Sequence, residues 1–346
     1  MYDAALPERV FGTRGGKHLR FSELGLGTAP LGNMHRALSE DEGQATLQAA
    51  WDAGIRYFDT APLYGHGIAE TRLGRALSGK PRRDYLVSTK VGRLLEPCAA
   101  GEANSGIYKA TPPVRVRFDY SYDGVMRAYE SSLARLGVES VDILFVHDVD
   151  VRTHGGKEQC EARIRELLDE GGWRALDMLR RNGDVTAIGA GVNEWQPCAR
   201  LLEDADPDLF LLAGRYTLLD QEPLDTLFPQ CLARGVGIVA GGPFNSGVLA
   251  GQAYFDYEAV PADIAARVDR LSELCRSCQV ALPQAALQFV LAHPSVTCVI
   301  PGAQSGGEVI ENVTLARKVT PAQLWDRLKD QGLIPAHAPT PQASSC

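Results

Sequence analysis

Four polar side chains stand at or just after the ends of apolar, β-forming runs. They are Asp59 in YFDTAPLYG, Tyr64 five residues later, Lys90 in LVSTK and His147 in ILFVHD. A charged or titratable group at such a position needs a partner or a polar cleft. Taken singly, each is better explained as a helix cap, a solvated lysine or a structural histidine. The four together favour one shared site.

The four residue types complement one another chemically. A buried Lys90 ammonium paired with Asp59 is predicted to hydrogen-bond Tyr64 and lower the pKa of its phenol from about 10. Tyr64 would then exchange protons near neutral pH, while an N–H of His147 orients a substrate oxygen. Because no side chain accepts a hydride, oxidation or reduction at this site requires a cofactor.

The elements that must position these residues are eight short apolar runs that alternate with helical patterns. Nearly continuous apolar strands joined by crossover helices favour a closed parallel (β/α)₈ TIM barrel over an open sheet, and the strand ends then meet at one face. The predicted strands are Glu23–Leu26, Arg56–Thr60, Tyr85–Lys90, Asp142–His147, Val185–Asn193, Leu209–Tyr216, Gly237–Ala240 and Val296–Ile300. The predicted helices are Ser39–Ala53, Ile68–Leu77, Tyr122–Leu136, Trp173–Arg181, Gln196–Leu202, Leu224–Arg234 and a longer region, Ala262–Ala292, that Pro283 interrupts.

No low-complexity linker divides the chain, which indicates a single domain over residues 1–346. Residues Arg9–Leu19 surround a glycine-rich turn and predict an N-terminal β-hairpin below the barrel. Two insertions, Gly92–Asp119 and Asp148–Gly172, follow strand ends on the face where barrels place their active sites. The Pro-, Ala- and Ser-rich end, from about residue 334, is expected to be loose.

Composition excludes several classes of protein. The 35 basic and 43 acidic side chains leave a charge of −8, which disfavours a nucleic-acid surface. The chain has neither a secretory signal pattern nor an apolar run of about 18 residues, so no membrane partner and a cytoplasmic location are predicted. Eight cysteines are too few for a disulfide scaffold, Cys275 and Cys278 are interpreted as core cysteines, and the histidines lack the spacing of metal ligands. The oligomeric state stays open.

Six segments carry a resemblance to the aldo-keto reductase superfamily. They are LGLGTAPLGN (24–33), GIRYFDTAPLYGHGIAETRLGRAL (54–77), STKVGR (88–93), SSLARLGVESVDILFVHD (131–148), GAGVNEW (189–195) and VIPGAQSGGEVIEN (299–312). The resemblance implies a barrel with a hairpin at its base and an extended nicotinamide cofactor across its mouth. It also implies that Asp59, Tyr64, Lys90 and His147 form the catalytic tetrad, with Tyr64 as general acid or base.

Further segments resemble one branch, that of the L-fucose and D-threo-aldose 1-dehydrogenases and pyridoxal 4-dehydrogenase. They are FDYSYDGVMRAYESSLARLGV, LLAGRYTLLDQ, GGPFNSGVLA and ALQFVLAHPSV. This branch implies oxidation of a small-molecule substrate, an aldose at C1, to the lactone, with Tyr64 as base; oxidation of pyridoxal to its lactone is the alternative. An NADPH-dependent carbonyl reductase and a channel accessory subunit that binds the cofactor without turnover are the rival interpretations.

The resemblance also implies a set of cofactor contacts. Gly302, Gln304 and Glu308 stand where NADP-preferring relatives commonly carry Lys or Arg, so NAD is predicted, with NADP as the alternative. Glu308 is equally explained as a first-turn helix residue. The residues assigned to the cofactor are Gly27, Thr28, Asp59, Asn193, Tyr216, Gly241, Gly242, Ser246, Gly247, Gly302, Gln304, Glu308 and Asn312.

Some family positions differ at the nicotinamide end. Val192-Asn193 replaces a Ser-Asn pair, so Asn193 alone is expected to bind the carboxamide, and Ala213 replaces a Gln. Gly241 stands where an aromatic side chain stacks on the nicotinamide ring, which leaves the stacking partner open. Tyr64, His147, Tyr120 and Trp195 are assigned to the substrate, with Tyr108 and Phe118 as further aromatic walls. His66 is interpreted as an exposed loop residue.

Overall fold

Eight parallel strands, each hydrogen-bonded to the next, form the centre of the computed structural model, which describes residues 6–342. Isolated bridges from Leu24 to Val299 and from Gly27 to Gly302 join the first strand to the last. The sheet therefore closes into a barrel with helices around it, and the predicted (β/α)₈ fold with an N-terminal hairpin is confirmed.

Within residues 6–342 no helix is both long enough and apolar enough to cross a membrane. The strands are β1 Glu8–Gly12, β2 His18–Ser22, β3 Leu26–Gly27, β4 Tyr57–Asp59, β5 Leu86–Val91, β6 Arg93–Pro97, β7 Val114–Phe118, β8 Ile143–His147, β9 Ala187–Val192, β10 Leu209–Ala213, β11 Gly237–Gly241, β12 Tyr254–Phe255, β13 Glu258–Ala259 and β14 Val296–Ile300. The helices are α1 Glu40–Asp52, α2 Ile68–Leu77, α3 Tyr122–Leu136, α4 Val151–His154, α5 Lys157–Asp169, α6 Gly172–Asn182, α7 Gln196–Asp204, α8 Leu227–Arg234, α9 Ala262–Ser277, α10 Leu282–Leu291, α11 Gly306–Arg317 and α12 Ala322–Asp330.

The barrel strands alternate between two buried layers. Tyr57 and Phe145 belong to the cluster inside the barrel, whereas Phe58 and Leu144 belong to the larger cluster between barrel and helices. Because side chains on a strand alternate with a period of two, the last inward positions of β4 and β8 are Asp59 and His147. The local sequence thus directs these polar groups to the barrel axis at its carboxyl-end face, here called the mouth.

The opposite end of the barrel is closed by the antiparallel hairpin β1–β2, whose Leu19 and Phe21 complete the inner cluster. Asp208 links this hairpin to the barrel. Its fully buried carboxylate accepts hydrogen bonds from the amide of Arg14 at 2.7 Å, the amide of Ile188 at 3.0 Å and the guanidinium of Arg180 at 2.9 Å. This carboxylate joins the hairpin, α6 and β9.

Several element boundaries differ from the prediction, among them the strand predicted at Leu209–Tyr216, which ends at Ala213. The first barrel strand is Leu26–Gly27, later than Glu23–Leu26, and α8 begins at Leu227 because a separate short turn occupies residues 222–224. The long region is two helices, with Pro283 in the first turn of α10, where its missing N–H leaves no bond unmade. The expectation of a loose end from residue 334 is wrong as far as residue 338, because Ile334 and Ala338 are buried.

Replacing Asp208 by alanine is expected to lower the free energy of unfolding by about 3 kcal/mol, because Arg180 and two amides lose a buried acceptor. Asp206→Ala is the matched control. Its carboxylate also contacts Arg14 and Arg180 but is 58% exposed, so a loss below about 1 kcal/mol is expected. Urea denaturation measures both values, and equal losses would contradict the role given to Asp208.

Candidate active site

A buried ion pair lies at the mouth of the barrel. Lys90 Nζ is 2.6 Å from Asp59 Oδ2, and their side chains are 1% and 2% exposed. Lys90 also donates to the Thr60 carbonyl at 2.9 Å, and Ser88 donates to Asp59 Oδ1 at 2.7 Å. Burial raises the pKa of Asp59, and the Lys90 ammonium opposes that shift. A glycine on β9 leaves space for the lysine, since a Cβ at Gly191 would lie 3.2 Å from Lys90 Cε.

Tyr64 is carried by the turn between β4 and α2. This turn is held against the turn after β3 by two glycines. A Cβ at Gly32 would lie 2.5 Å from the Tyr64 carbonyl carbon, and Gly65, at φ +65°, would place one 2.3 Å from the Gly32 oxygen. The close approach puts the Tyr64 ring 4.7 Å from Lys90 Nζ, measured to the ring centroid, and edge-on to His147.

His147 ends β8 and is enclosed on all sides but one. Tyr120 donates from its hydroxyl to the His147 carbonyl at 2.7 Å, which fixes the backbone. Burial, together with the positive charges of Arg93 and Lys90, lowers the pKa of His147 well below its usual value. The imidazole is therefore neutral at physiological pH and carries one N–H donor.

The expected lowering of the Tyr64 pKa is wrong. Burial raises the pKa of Tyr64 well above its usual value, and the negative charge of Asp59 adds to the effect. Across the described residues the ammonium of Lys90 bonds to Asp59 and Thr60, without a bond to the phenol. Since Asp59 neutralises Lys90 at close range, little of its charge is left to stabilise a phenolate.

A cleft of about 370 Å³ opens above these side chains. Its walls come from the turn after β3, the inserted segment around β6 and β7, the ends of β8 to β10, and the loop that carries β12 and β13. The lining residues are Ala29, Met34, Leu63, Tyr64, His66, Lys90, Arg93, Asn104, Ser105, Gly106, Ile107, Tyr108, Val116, His147, Asp148, Gly191, Val192, Asn193, Leu211, Ala213 and Tyr257.

The side of the cleft at β9 and β10 suits a flat amide-bearing ring. Asn193 donates its Nδ2 to Asp148 at 2.9 Å and to Asp150 at 3.4 Å, which orients the amide and leaves Oδ1 as an acceptor at the cleft. Leu211 and Ala213 form the surface beside it, and a Cβ at Gly241 would lie 3.3 Å from Leu211. Small aliphatic groups thus stand where the resemblance implied an aromatic ring.

The loop after β11 has the backbone form of an anion-binding nest. Gly242, Asn245, Ser246 and Gly247 have φ values of +56°, +47°, +60° and +103°. The amides of Asn245 and Gly247 donate within the loop, to the carbonyls of Gly242 and Phe244 at 3.0 Å each, so the amides of Phe244 and Ser246 are the donors this loop offers to an anion. The Ser246 side chain is used differently, since its Oγ accepts from the Tyr257 amide at 2.9 Å.

The turn after β14 completes the rim. Gly302 approaches Pro30 so closely that a Cβ would lie 2.7 Å from Pro30 Cγ, and Gln304 donates to the Met34 carbonyl at 2.7 Å. Glu308 caps α11, because its carboxylate accepts from the Gln304 amide at 3.0 Å. Asn312 lies further along α11 and is half-buried. These contacts support both explanations given to Glu308, since within residues 6–342 its second carboxylate oxygen accepts no hydrogen bond and is available to a hydroxyl group.

The comparisons with known proteins agree with this geometry. The model of the Aldo/keto reductase family matches residues 23–331. The chain belongs to this family. It is 42% identical to pyridoxal 4-dehydrogenase of Microbacterium luteolum over 96% of this chain and all of that one, and 38% identical to D-threo-aldose 1-dehydrogenase of a Pseudomonas species over 92% and 96%. An aldo-keto reductase of Bacillus halodurans, solved in its holo form, superposes with a TM-score of 0.74 at 26% identity, covering 96% and 98% of the chains.

Membership of the aldo/keto reductases confirms the predicted resemblance and identifies the protein as an oxidoreductase of carbinol or carbonyl groups. The structure brings Asp59, Tyr64, Lys90 and His147 together as expected. Thr28 is nearby but fully buried, and its hydroxyl and amide both donate to the Asp59 carbonyl at 2.9 Å. Thr28 and the neighbouring Gly27 therefore support β4 and close the barrel.

Three predicted ligand contacts are not at the cleft. Tyr120 is fully buried behind His147 and holds its carbonyl. Trp195 precedes α7, bonds Glu222 at 3.1 Å and lines a separate depression outside the cleft. Tyr216 packs on Phe289 in the outer layer, with ring centroids 5.2 Å apart, because the chain turns outward at Gly214. These assignments are wrong, since each ring is already covered or faces away.

Sequence reasoning also missed residues that line the cleft. His66 is buried and not exposed, since it adopts a φ of +55° directly after the Tyr64 turn. Arg93 and Asp148 form a second ion pair at the mouth, and Tyr257 reaches the cleft from the loop of β12 and β13. Arg93 lies three residues after Lys90 and Asp148 follows His147 directly, so their positions after strand ends were the available signal.

We expect the kcat/KM of the enzyme to rise as the pH increases through about 6. Burial raises the pKa of Asp148 to about 6, and only the ionised carboxylate holds both Arg93 and Asn193 by accepting their hydrogen bonds. Asp148 is charged above that pH, so the acidic limb reflects its protonation. Asp148→Asn should remove this limb, and Asp150→Asn, which changes the neighbouring carboxylate, should keep it. An unchanged limb in the Asp148 variant would contradict the assignment.

Proposed function

We propose that this protein oxidises a cyclic hemiacetal to a lactone with NAD, and that the substrate is an aldose of the L-fucose or D-threo type, oxidised at C1. The observation that carries the proposal is the convergence of Tyr64, neutral His147 and the Asp59–Lys90 pair on one cleft. Pyridoxal is the second candidate, because the relative that is 42% identical is named for it. Pyridoxal also forms a cyclic hemiacetal, so the chemistry is shared.

The chain's own groups move the proton of the reacting hydroxyl. Tyr64 accepts this proton as general base, and the Asp59–Lys90 pair lies beside its ring, with Lys90 Nζ 4.7 Å from the ring centroid. His147 is neutral, so its single N–H holds the substrate oxygen without competing as an acid. Because burial raises the pKa of Tyr64, its base form gains population as pH rises, and oxidation is favoured on the alkaline side.

The residues present suit an extended nicotinamide dinucleotide. Asn193 Oδ1 would accept from the carboxamide, Leu211 and Ala213 would contact the ring, and the amides of Phe244 and Ser246 would donate to the pyrophosphate. Gly302, Gln304, Glu308 and Asn312 stand at the adenosine end. When bound, the oxidised cofactor supplies the hydride acceptor that no side chain provides.

The size and polarity of the cleft support a small polar substrate. About 370 Å³ is near the lower end of the range for ligand pockets and suits a single ring beside a nicotinamide. Asn104, Ser105, His66 and Tyr108 give hydrogen-bonding groups on the wall opposite the cofactor side. A sugar or a substituted pyridine meets both conditions.

Initial rates of nicotinamide reduction test the proposal, with L-fucose, related aldoses and pyridoxal offered in turn. Turnover with NAD is expected, with the lactone as product and a rate that increases toward alkaline pH. Tyr64→Phe should lower kcat by at least about 100-fold and leave cofactor binding unchanged, because only the proton acceptor is removed. Cofactor binding without oxidation of any hemiacetal would favour an accessory role, and a strong preference for NADPH with simple carbonyls would favour a reductase.

Cofactor choice is tested at Glu308. Glu308→Arg should raise kcat/KM for NADP relative to NAD by about 10-fold or more, because a guanidinium binds a 2′-phosphate that the carboxylate repels. Glu308→Gln is the control for capping, since a glutamine at this helix position still accepts from the Gln304 amide. A cofactor ratio unchanged by the arginine would show that Glu308 only caps α11.

A further inference from the structure

A second buried ion pair lies beside the tetrad. Arg93 Nη2 is 2.6 Å from Asp148 Oδ2, and the two side chains are 9% and 12% exposed. The same oxygen of Asp148 is 3.2 Å from His147 Nε2, and its other oxygen accepts from Asn193. Asp148 thus connects Arg93 with the catalytic histidine and with the residue placed at the cofactor.

The guanidinium of Arg93 is held on two sides and open on a third. Its plane lies over the Phe118 ring at 4.7 Å, measured to the centroid, and Nη2 is bonded to Asp148. Nε is buried without a partner. Nη1 has no hydrogen-bond partner within residues 6–342, and it is not enclosed, because Arg93 forms part of the cleft wall. A fixed cation therefore presents an unused donor to the cleft.

This donor stands close to the reacting centre. Arg93 and His147 share the same Asp148 oxygen, so a group bound at the His147 ring lies next to the guanidinium. The positive charge of Arg93 also contributes to the low pKa of His147, as expected for neighbours inside a poorly hydrated site. An oxygen atom beside the reacting carbon of a substrate falls between the two.

We propose that Arg93 is a specificity-determining residue whose Nη1 donates a hydrogen bond to the substrate hydroxyl oxygen beside the reacting carbon, with Asp148 as its positioning residue. This inference rests on the proposed function, because it assumes that the reacting carbon is held by Tyr64 and His147. Two sources supply such an oxygen. In an aldose it is the hydroxyl on C2, the carbon bonded to the reacting C1; in pyridoxal it is the phenol oxygen on C3 of the ring, one carbon further from the reacting carbon, and the ionised phenol accepts the stronger bond.

The experiment removes the oxygen and the arginine separately and together. The kcat/KM of the wild type is compared for L-fucose and its 2-deoxy analogue, and for pyridoxal and 3-deoxypyridoxal. The analogue of the true substrate should be about 10- to 100-fold poorer, as expected for loss of a hydrogen bond to a charged group. In Arg93→Gln the kcat/KM for the parent substrate should fall by a similar factor. The kcat/KM values for the parent and the deoxy analogue should then differ by no more than about 2-fold.

Two variants guard against a purely structural effect. Arg115→Gln makes the same change on the same hairpin, at a side chain that is 61% exposed, and should keep the full difference between parent and analogue. Arg93→Gln combined with Asp148→Asn avoids an unpaired buried carboxylate and should again abolish the difference. If the ratio of kcat/KM between parent and analogue is the same with and without Arg93, the arginine does not bind that oxygen and the proposal is overturned.

Failure of the proposed function gives a different result. In that case the wild type oxidises none of the four hemiacetals, and the same comparison is made for carbonyl reduction by NADH, with glyceraldehyde against 3-hydroxypropanal, which lacks the neighbouring hydroxyl. A preference of about 10-fold for glyceraldehyde that disappears in Arg93→Gln would still support the role of Arg93. The same preference in both proteins would overturn it.

Discussion

The ion pair of Asp59 and Lys90 is the constraint on which the mouth of the barrel depends. Two charges removed from water at this depth are tolerated only if each hydrogen bond is made. Ser88 and the Thr60 carbonyl supply the remaining partners, and Thr28 holds the strand that carries Asp59. Gly191 leaves space for the lysine stem, since a Cβ there would lie 3.2 Å from Lys90 Cε. The strand order, the register and the small residues around the barrel therefore all help to accommodate the ion pair of Asp59 and Lys90.

His147 lies between this pair and the pair of Arg93 and Asp148. Burial, aided by the positive charges of Arg93 and Lys90, lowers the pKa of His147 and keeps the imidazole neutral, so its one N–H stays a hydrogen-bond donor across physiological pH. In the proposed mechanism, the proton that moves is therefore accepted by Tyr64. In this proposal His147 binds the substrate and Tyr64 transfers the proton. The two roles thus belong to different side chains, although both lie within a small volume.

Inward positions at strand ends could be predicted from the sequence, because the alternation of a strand decides which side chain faces the axis. This is why the fold and the positions of Asp59, Lys90 and His147 were predictable, whereas Tyr64, in the turn after β4, was predicted from the resemblance of its segment to the family. Contacts beyond the strand ends were not, since a single turn redirects the chain. Gly214, at φ +68°, sends Tyr216 to the outer layer, and Asp148, at φ +48°, bends back into the cleft. Such backbone turns depend on tertiary contacts that residue spacing does not encode.

The side chains of the site therefore lie on two kinds of element, barrel strands and the segments that follow them. Asp59, Lys90 and His147 are on strands that are buried on both faces, whereas Arg93 begins an inserted hairpin and Asp148 is the first residue after its strand. A change in the hairpin can redirect Arg93 without disturbing the ion pair beneath it. Relatives that share about 40% of this sequence and are named for a sugar and for a pyridine aldehyde are consistent with this arrangement. Selection for a new substrate can act on the loops, because the strands already hold Asp59, Lys90 and His147 in place.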